Sequence, residues 1–182
     1  MGQYYKPSIL GKNKKTVIKW MYSHDFENGL KLMEHSWLTN NFVRAFESLI
    51  YRNPQIVVWG GDYAEPCASR KSNTYERCND KNNVKPELIA FEKDCQFVIN
   101  HTKKLFVDTT KVPQITAKWA EGDDYRIHPL PLLTSEGNGQ GGGDFFGDDP
   151  KHLVGSWARN LISVDDTAPT GYKELIFDLI EK

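Results

Sequence analysis

One stretch of this chain carries a clean helical period, and most of its other apolar stretches read as short strands. Phe42, Phe46, Leu49 and Ile50 recur at i, i+4, i+7 and i+8 behind the cap candidates Thr39, Asn40 and Asn41. This is one apolar stripe of an amphipathic helix, and Asn53-Pro54 ends it. Gln3 to Ile9 and Thr16 to Met21 read as strands joined by a hairpin loop at Gly11-Lys-Asn-Lys-Lys15. Gln55 to Trp59 is a β-branched run that enters a turn at Gly60-Gly61-Asp62. Gln96 to Asn100 and Leu105 to Asp108, separated by His101-Thr-Lys-Lys104, give the strongest hairpin signal. Ile115 to Trp119 and Tyr125 to Leu130 extend that meander, and Trp157 to Val164 reads as a further strand. Residues 24–37 and 172–180 fit either period. Strands outnumber helices and short loops join them, so the expected fold is α+β: a single domain, 1–182, with a mainly antiparallel sheet, one or two packed helices and a long glycine-rich loop.

Two segments break the pattern. Residues 64–86 lose all periodicity and turn polar, a length of loop that is uncommon unless it is functional or mobile. Residues 136–149 hold six of the chain's 14 glycines and four acids. Glycine reaches positive φ and allows close approach of backbone to a ligand, at an entropic cost wherever it is ordered. The run is therefore a tether or a shaped loop, and the apolar segments His128–Leu133 and Leu153–Ala158 on either side favour the shaped loop.

The charge balance, 23 basic against 24 acidic residues, gives no global field for nucleic acid or an anionic membrane. The Met1-Gly-Gln-Tyr-Tyr start has no apolar signal-peptide core, and Lys6 stands where a myristoylation site wants Ser or Thr. No apolar run approaches the roughly 20 residues that span a bilayer. Three cysteines, Cys67, Cys78 and Cys95, do not suggest a disulfide framework. These features point to a cytoplasmic protein without a membrane partner and without a strong nucleic-acid signal; they leave an oligomer open.

Known motifs fit the glycine run poorly. It ends in Asp144-Phe145 rather than Gly-Lys-Ser/Thr, so it is no phosphate-binding P-loop, and no strand–helix frame makes it a dinucleotide loop. Gly139–Asp144 is a single imperfect copy of a calcium nonapeptide. Asp144, Asp148 and Asp149 are hard oxygen donors suited to Mg²⁺ or Ca²⁺, against the plainer reading of solvated turn acids. No H-x-x-x-H or C-x-x-C spacing supports zinc, so neither metal nor cofactor is expected.

The candidate ligand-binding residues are Trp59, Asp62, Gly141, Gly142, Gly143, Asp144, Trp157 and His35. Trp59 and Trp157 abut small residues that would leave a ring face accessible, although tryptophan among apolar neighbours is more often core. His35 and His128 sit beside apolar residues, where a lone histidine is more often a hydrogen-bonded core member than a catalyst. For catalysis the candidates are Asp62, Glu136, Asp144 and His128, because two carboxylates within reach of each other can share acid and base roles.

Several strings together, Met1-Gly-Gln-Tyr-Tyr-Lys6, Gly29–Ser36, Trp59-Gly-Gly-Asp-Tyr63, Asn100–Lys104, Gly141-Gly-Gly-Asp144 and Val154-Gly-Ser-Trp-Ala-Arg159, make the chain resemble an uncharacterised family of small soluble proteins encoded in bacterial genomes, phages and other mobile elements. The resemblance covers nearly the whole chain. It implies a context, an accessory protein acting in host–phage conflict, and carries no activity or catalytic residue with it. The resulting expectation is a binding module for a small polar ligand such as a nucleotide, or for a partner protein of the host, at the glycine-rich loop. The alternative is a carboxylate- or metal-dependent hydrolase.

Overall fold

A computed structural model describes residues 3–66, 71–86, 94–115, 125–137 and 145–181. Cys67, Trp119 and the glycine-run positions Gly141, Gly142, Gly143 and Asp144 lie outside those segments.

The N-terminal hairpin forms as its pattern predicts. Strand β1 (Tyr5–Leu10) pairs antiparallel with β2 (Val17–Trp20), and β1's other edge pairs antiparallel with β3 (Gln55–Gly61). The two glycines expected to turn the chain instead continue β3, because that strand has partners on both edges to its end. A side chain at Gly61 would meet Gln3 Oε1 at 2.8 Å and the Glu136 carbonyl at 2.9 Å, so close backbone packing excludes a Cβ there. The hairpin of β4 (Phe97–Asn100) and β5 (Leu105–Asp108) also forms. Strand β7 (Asn160–Asp165) joins the two hairpins, lying antiparallel to both β3 and β4. Two short strands add parallel pairs: β6 (Ser135–Glu136) on β3, and β8 (Lys173–Glu174) on β5. The described sheet thus runs β2-β1-β3-β7-β4-β5-β8, mainly antiparallel, in an α+β fold.

The 3.6-period stripe becomes α2 (Asn41–Ile50), following a four-residue helix α1 (Leu32–His35). Asn40 caps α2, its side chain accepting from the amides of Phe42 and Val43. The helix lies on one face of the sheet, burying Phe42, Val43, Ala45, Phe46 and Ile50 completely. Each large side chain so buried stabilises the fold by about 1.5–3 kcal/mol. Trp59, Trp157, Leu130, Leu132 and Leu133 complete the centre of this core.

Two further expectations are corrected by the helix and strand bounds. Residues 129–134, partly assigned to a strand, form helix α3 (Pro129–Thr134): proline at its first turn is pre-set for a helix, and His128 supplies the cap. Strand β7 begins at Asn160 rather than Trp157, because residues 154–159 turn and bring the Trp157 amide onto the Leu133 carbonyl. Within the polar stretch, Asn73 and Thr74 are buried, and Trp20 donates its indole N–H to the Asn79 carbonyl. That segment therefore covers the outer edge of β2. Among the described residues no helix is long and apolar enough to cross a membrane.

Candidate functional site

The described ends of the glycine run stand at two concavities. On the N-terminal side, a cavity of about 310 Å³ is lined by Ser135, Glu136 and Gly137 and by Val154, Gly155, Ser156 and Ala158. On the C-terminal side, a groove of about 370 Å³ is lined by Asp148 and Pro150 across from Asp178 and Ile180.

Glu136 is held on the first side by Arg159. The guanidinium donates to both carboxylate oxygens, at 2.7 and 2.6 Å, to Thr74 Oγ1 at 2.9 Å, and to the Lys14 carbonyl. One planar cation thereby ties β6, the β1–β2 turn and the buried Thr74 to the end of the Val154–Arg159 string. The pair is mostly shielded from water, with side chains 18% and 28% exposed. Glu136 is therefore a structural anion in this arrangement, each of its oxygens accepting from the guanidinium. Replacing Arg159 with methionine is expected to cost about 2 kcal/mol, read as a fall of roughly 4–8 °C in thermal midpoint.

The other sequence candidates are dispersed. Trp59 and Trp157 are buried, so the ring faces expected to be accessible are packed in the core. The mechanism at Trp59 is specific. Its indole N–H donates to His35 Nε2 at 2.9 Å, and Phe42 and Phe46 meet its ring edge-on. His35 Nδ1 lies 3.0 Å from the Gly29 carbonyl, which can only accept, so Nδ1 carries the proton. Burial holds this imidazole's pKa down to about 4, so it is neutral near pH 7. Asp62 is half-buried and accepts from the Tyr4 amide at 3.0 Å, fixing the turn after β3. Asp149 accepts from the amides of Leu153 and Val154 at 2.8 and 2.9 Å. That makes it a turn cap.

His128 is fully buried, and its partner escaped the sequence reading. Its Nε2 lies 3.2 Å from Oε1 of Glu47, an equally buried acid on α2, and neither atom reaches a well-aligned hydrogen bond. His128 Nδ1 accepts from the Leu130 amide at 3.2 Å, so the ring proton sits on Nε2 and faces Glu47. Glu47 Oε2 accepts from the Cys95 amide, while burial raises the Glu47 pKa and His128 opposes that rise. A signal was present: Glu47 falls on the apolar stripe, between Val43 at i−4 and Ile50 at i+3.

Asp94 brings a third donor to this cluster, with ligand atoms of Glu47, Asp94 and His128 all within 4.8 Å of one another. The ring orientation argues against a cation. Ligation through Nε2 would drive the proton to Nδ1, directly against the Leu130 N–H, whereas metal-bound histidines place an acceptor there. Asp94 is also engaged, accepting from the Thr39 amide at 2.7 Å and from Arg44 at 3.2 Å. The buried Glu47–His128 pair thus joins α2 to α3, and Glu47 Oε2 and Asp94 tie it to the approach to β4.

His101, in the turn between β4 and β5, lies 2.7 Å from Ser163 Oγ and 3.0 Å from the Tyr172 hydroxyl. Ser163 is buried in the middle of β7, so the contact joins the hairpin to the segment leading into β8. Among the described residues, the acids and histidines named as catalytic candidates thus do not converge on one cavity. Ile180, in the lining of the C-terminal groove, is 40% exposed, and Phe146 and Ile176, on the two segments that form it, are 70% and 57% exposed.

No family model, no curated protein and no solved structure matches this chain.

Proposed function

We propose that this protein is a binding module that engages a partner polypeptide at the groove beside the C-terminal foot of the glycine run. The supporting observation is a concavity with carboxylates on both walls and the exposed Ile180 in its lining, with exposed Phe146 and Ile176 two positions along the chain from Asp148 and Asp178. A lone exposed apolar residue needs no explanation, but three on the two segments that form one groove resemble the apolar centre and polar rim of an interface. In the context that the sequence resemblance implies, the partner is a protein of a bacterial host.

A hydrolase reading has less support. Glu136 is held by Arg159 through both oxygens, Asp62 serves a backbone amide, and His128 faces Glu47 beyond the reach of solvent. A small polar ligand remains the second reading, favoured by the 310 Å³ cavity and by Ser156, which lines it and whose buried hydroxyl lacks a hydrogen-bond partner.

Phe146→Asp separates these readings. It should leave the thermal midpoint unchanged, because Phe146 is largely in water, and should abolish capture of the partner by tagged protein in host cells. Capture that survives Phe146→Asp but is lost on Ser156→Trp would move the site to the other cavity.

A further inference from the structure

The cavity at the N-terminal foot of the glycine run is polar and unequally charged. Both of its walls hang from the end of α3. The Gly155 amide and the Ser135 hydroxyl donate to the same Leu132 carbonyl, at 2.8 and 3.0 Å, and the Trp157 amide donates to the Leu133 carbonyl. Gly155 holds a φ of 76°, a left-handed conformation that favours glycine, so the backbone itself fixes the bend of this wall. At the next residue the Ser156 Oγ is buried and has no hydrogen-bond partner. Native folds keep few such groups. Lys103, in the β4–β5 turn, donates from Nζ to the Ser156 carbonyl at 2.8 Å. That acceptor is neutral, so the ammonium keeps its charge and two further N–H groups. Among the described residues Lys103 makes no ion pair.

The opposite wall carries Glu136. Arg159 offsets its charge, yet each carboxylate oxygen has accepted one guanidinium N–H and can accept again. The β1–β2 turn, whose Lys14 carbonyl accepts from Arg159, adds positive potential on that side: residues 1–24 hold five lysines and no acid. Asp149, which accepts from the Val154 amide of the first wall, is engaged by two backbone donors. We infer that this cavity binds a small phosphorylated polyol or sugar, with its phosphate on Ser156 and Lys103 and its hydroxyls donating to Glu136 and Ser135. The inference is independent of partner binding at the C-terminal groove; it rests on the small-ligand reading above and gives that ligand a chemical class. A phosphate oxygen takes the Ser156 hydroxyl proton that has no acceptor, and the lysine meets the phosphate as a point charge. A neutral sugar would leave the ammonium unused, and a bare phosphate would leave Glu136 facing an anion. The volume of about 310 Å³ is at the small end for ligand pockets, so it suits one phosphorylated sugar rather than a dinucleotide.

The test is isothermal titration calorimetry of the full chain with glycerol phosphate and ribose phosphate, set against glycerol, ribose and inorganic phosphate. A phosphorylated probe should bind about tenfold or more tightly than either of its halves. Its affinity should fall as salt is raised. Lys103→Gln and Ser156→Ala should each weaken that binding by about tenfold. Neither should lower the thermal midpoint of the free protein, because Lys103 is exposed and Ser156→Ala removes a buried hydroxyl that has no partner. Binding of the phosphorylated probes that is unchanged in both variants overturns the inference, since the site then lies elsewhere. If ribose binds as tightly as ribose phosphate and both are lost on Ser156→Trp, the phosphate assignment falls and the small-ligand reading stands. If no phosphorylated probe binds, the inference also falls. The small-ligand reading then stands only if the parent retains a species from a bacterial metabolite extract that Ser156→Trp does not, and otherwise both fall.

Discussion

Replacing Glu47 with alanine should cost the fold about 3–5 kcal/mol, a fall of roughly 6–20 °C in thermal midpoint. The loss is larger than that of a surface ion pair because both partners are removed from water. Truncation removes the carboxylate that the buried His128 Nε2–H faces and strips the Cys95 amide of its acceptor. Glu47→Gln keeps one oxygen for the two donors and sets its NH2 against the other, so it should recover only part of the loss. Replacing both members, with Glu47→Met and His128→Asn, should recover much of the loss, since asparagine retains the cap on the Leu130 amide. Denaturant unfolding of the four proteins decides this, and a Glu47→Ala penalty under about 1 kcal/mol would show that the pair is not braced as described. Burial raises the Glu47 pKa, so between its unfolded value of 4.5 and the higher folded one the native state holds a proton that the unfolded chain has lost. Glu47 therefore adds stability as the pH falls through its folded pKa, and the gain is complete near 4.5.

His35 works in the opposite direction. Its folded pKa is about 4, against 6.5 in the unfolded chain. Above 6.5 both states are neutral at this residue. Between 6.5 and 4 the unfolded chain gains a proton that the native state refuses, so stability falls with pH and the loss saturates below about 4. It amounts to roughly 3 kcal/mol. The cause is burial: Nε2 already accepts from Trp59, and a proton there would set two donors against each other without water to separate them. His35→Gln does not titrate, so its stability–pH curve should be flatter than the parent's by about that amount across this window. The comparison is between slopes, which separates the titration from any constant cost of the substitution. Parallel curves would mean that the imidazole is protonated inside the fold or exposed before unfolding.

These two residues show what was legible beforehand. The helical stripe through Phe42, Phe46 and Ile50 named the main helix, and the β4–β5 hairpin followed from its alternation, because both patterns record a local choice between water and core. The expectation that a histidine beside apolar residues is more often a core member fits both His35 and His128. Their partners lay out of reach. Trp59 is 24 residues from His35, and Glu47 is 81 positions from His128. Arg159, at the end of the recognisable Val154–Arg159 string, could be marked as unusual but not assigned to Glu136, Thr74 and Lys14.

The sequence by itself determined the strand-rich α+β class, the position of the principal helix, and the glycine run as the most biased segment. Periodicity and composition are enough for these, since each residue contributes through its own affinity for water and its own backbone freedom. Only the tertiary structure decided which polar groups meet. It enclosed Trp59, Trp157, His35 and His128, and it spent Glu136 on a guanidinium and Asp62 on an amide. A hydrogen bond depends on angstrom-scale approach between residues remote in sequence. That is a property of packing, which no local pattern encodes.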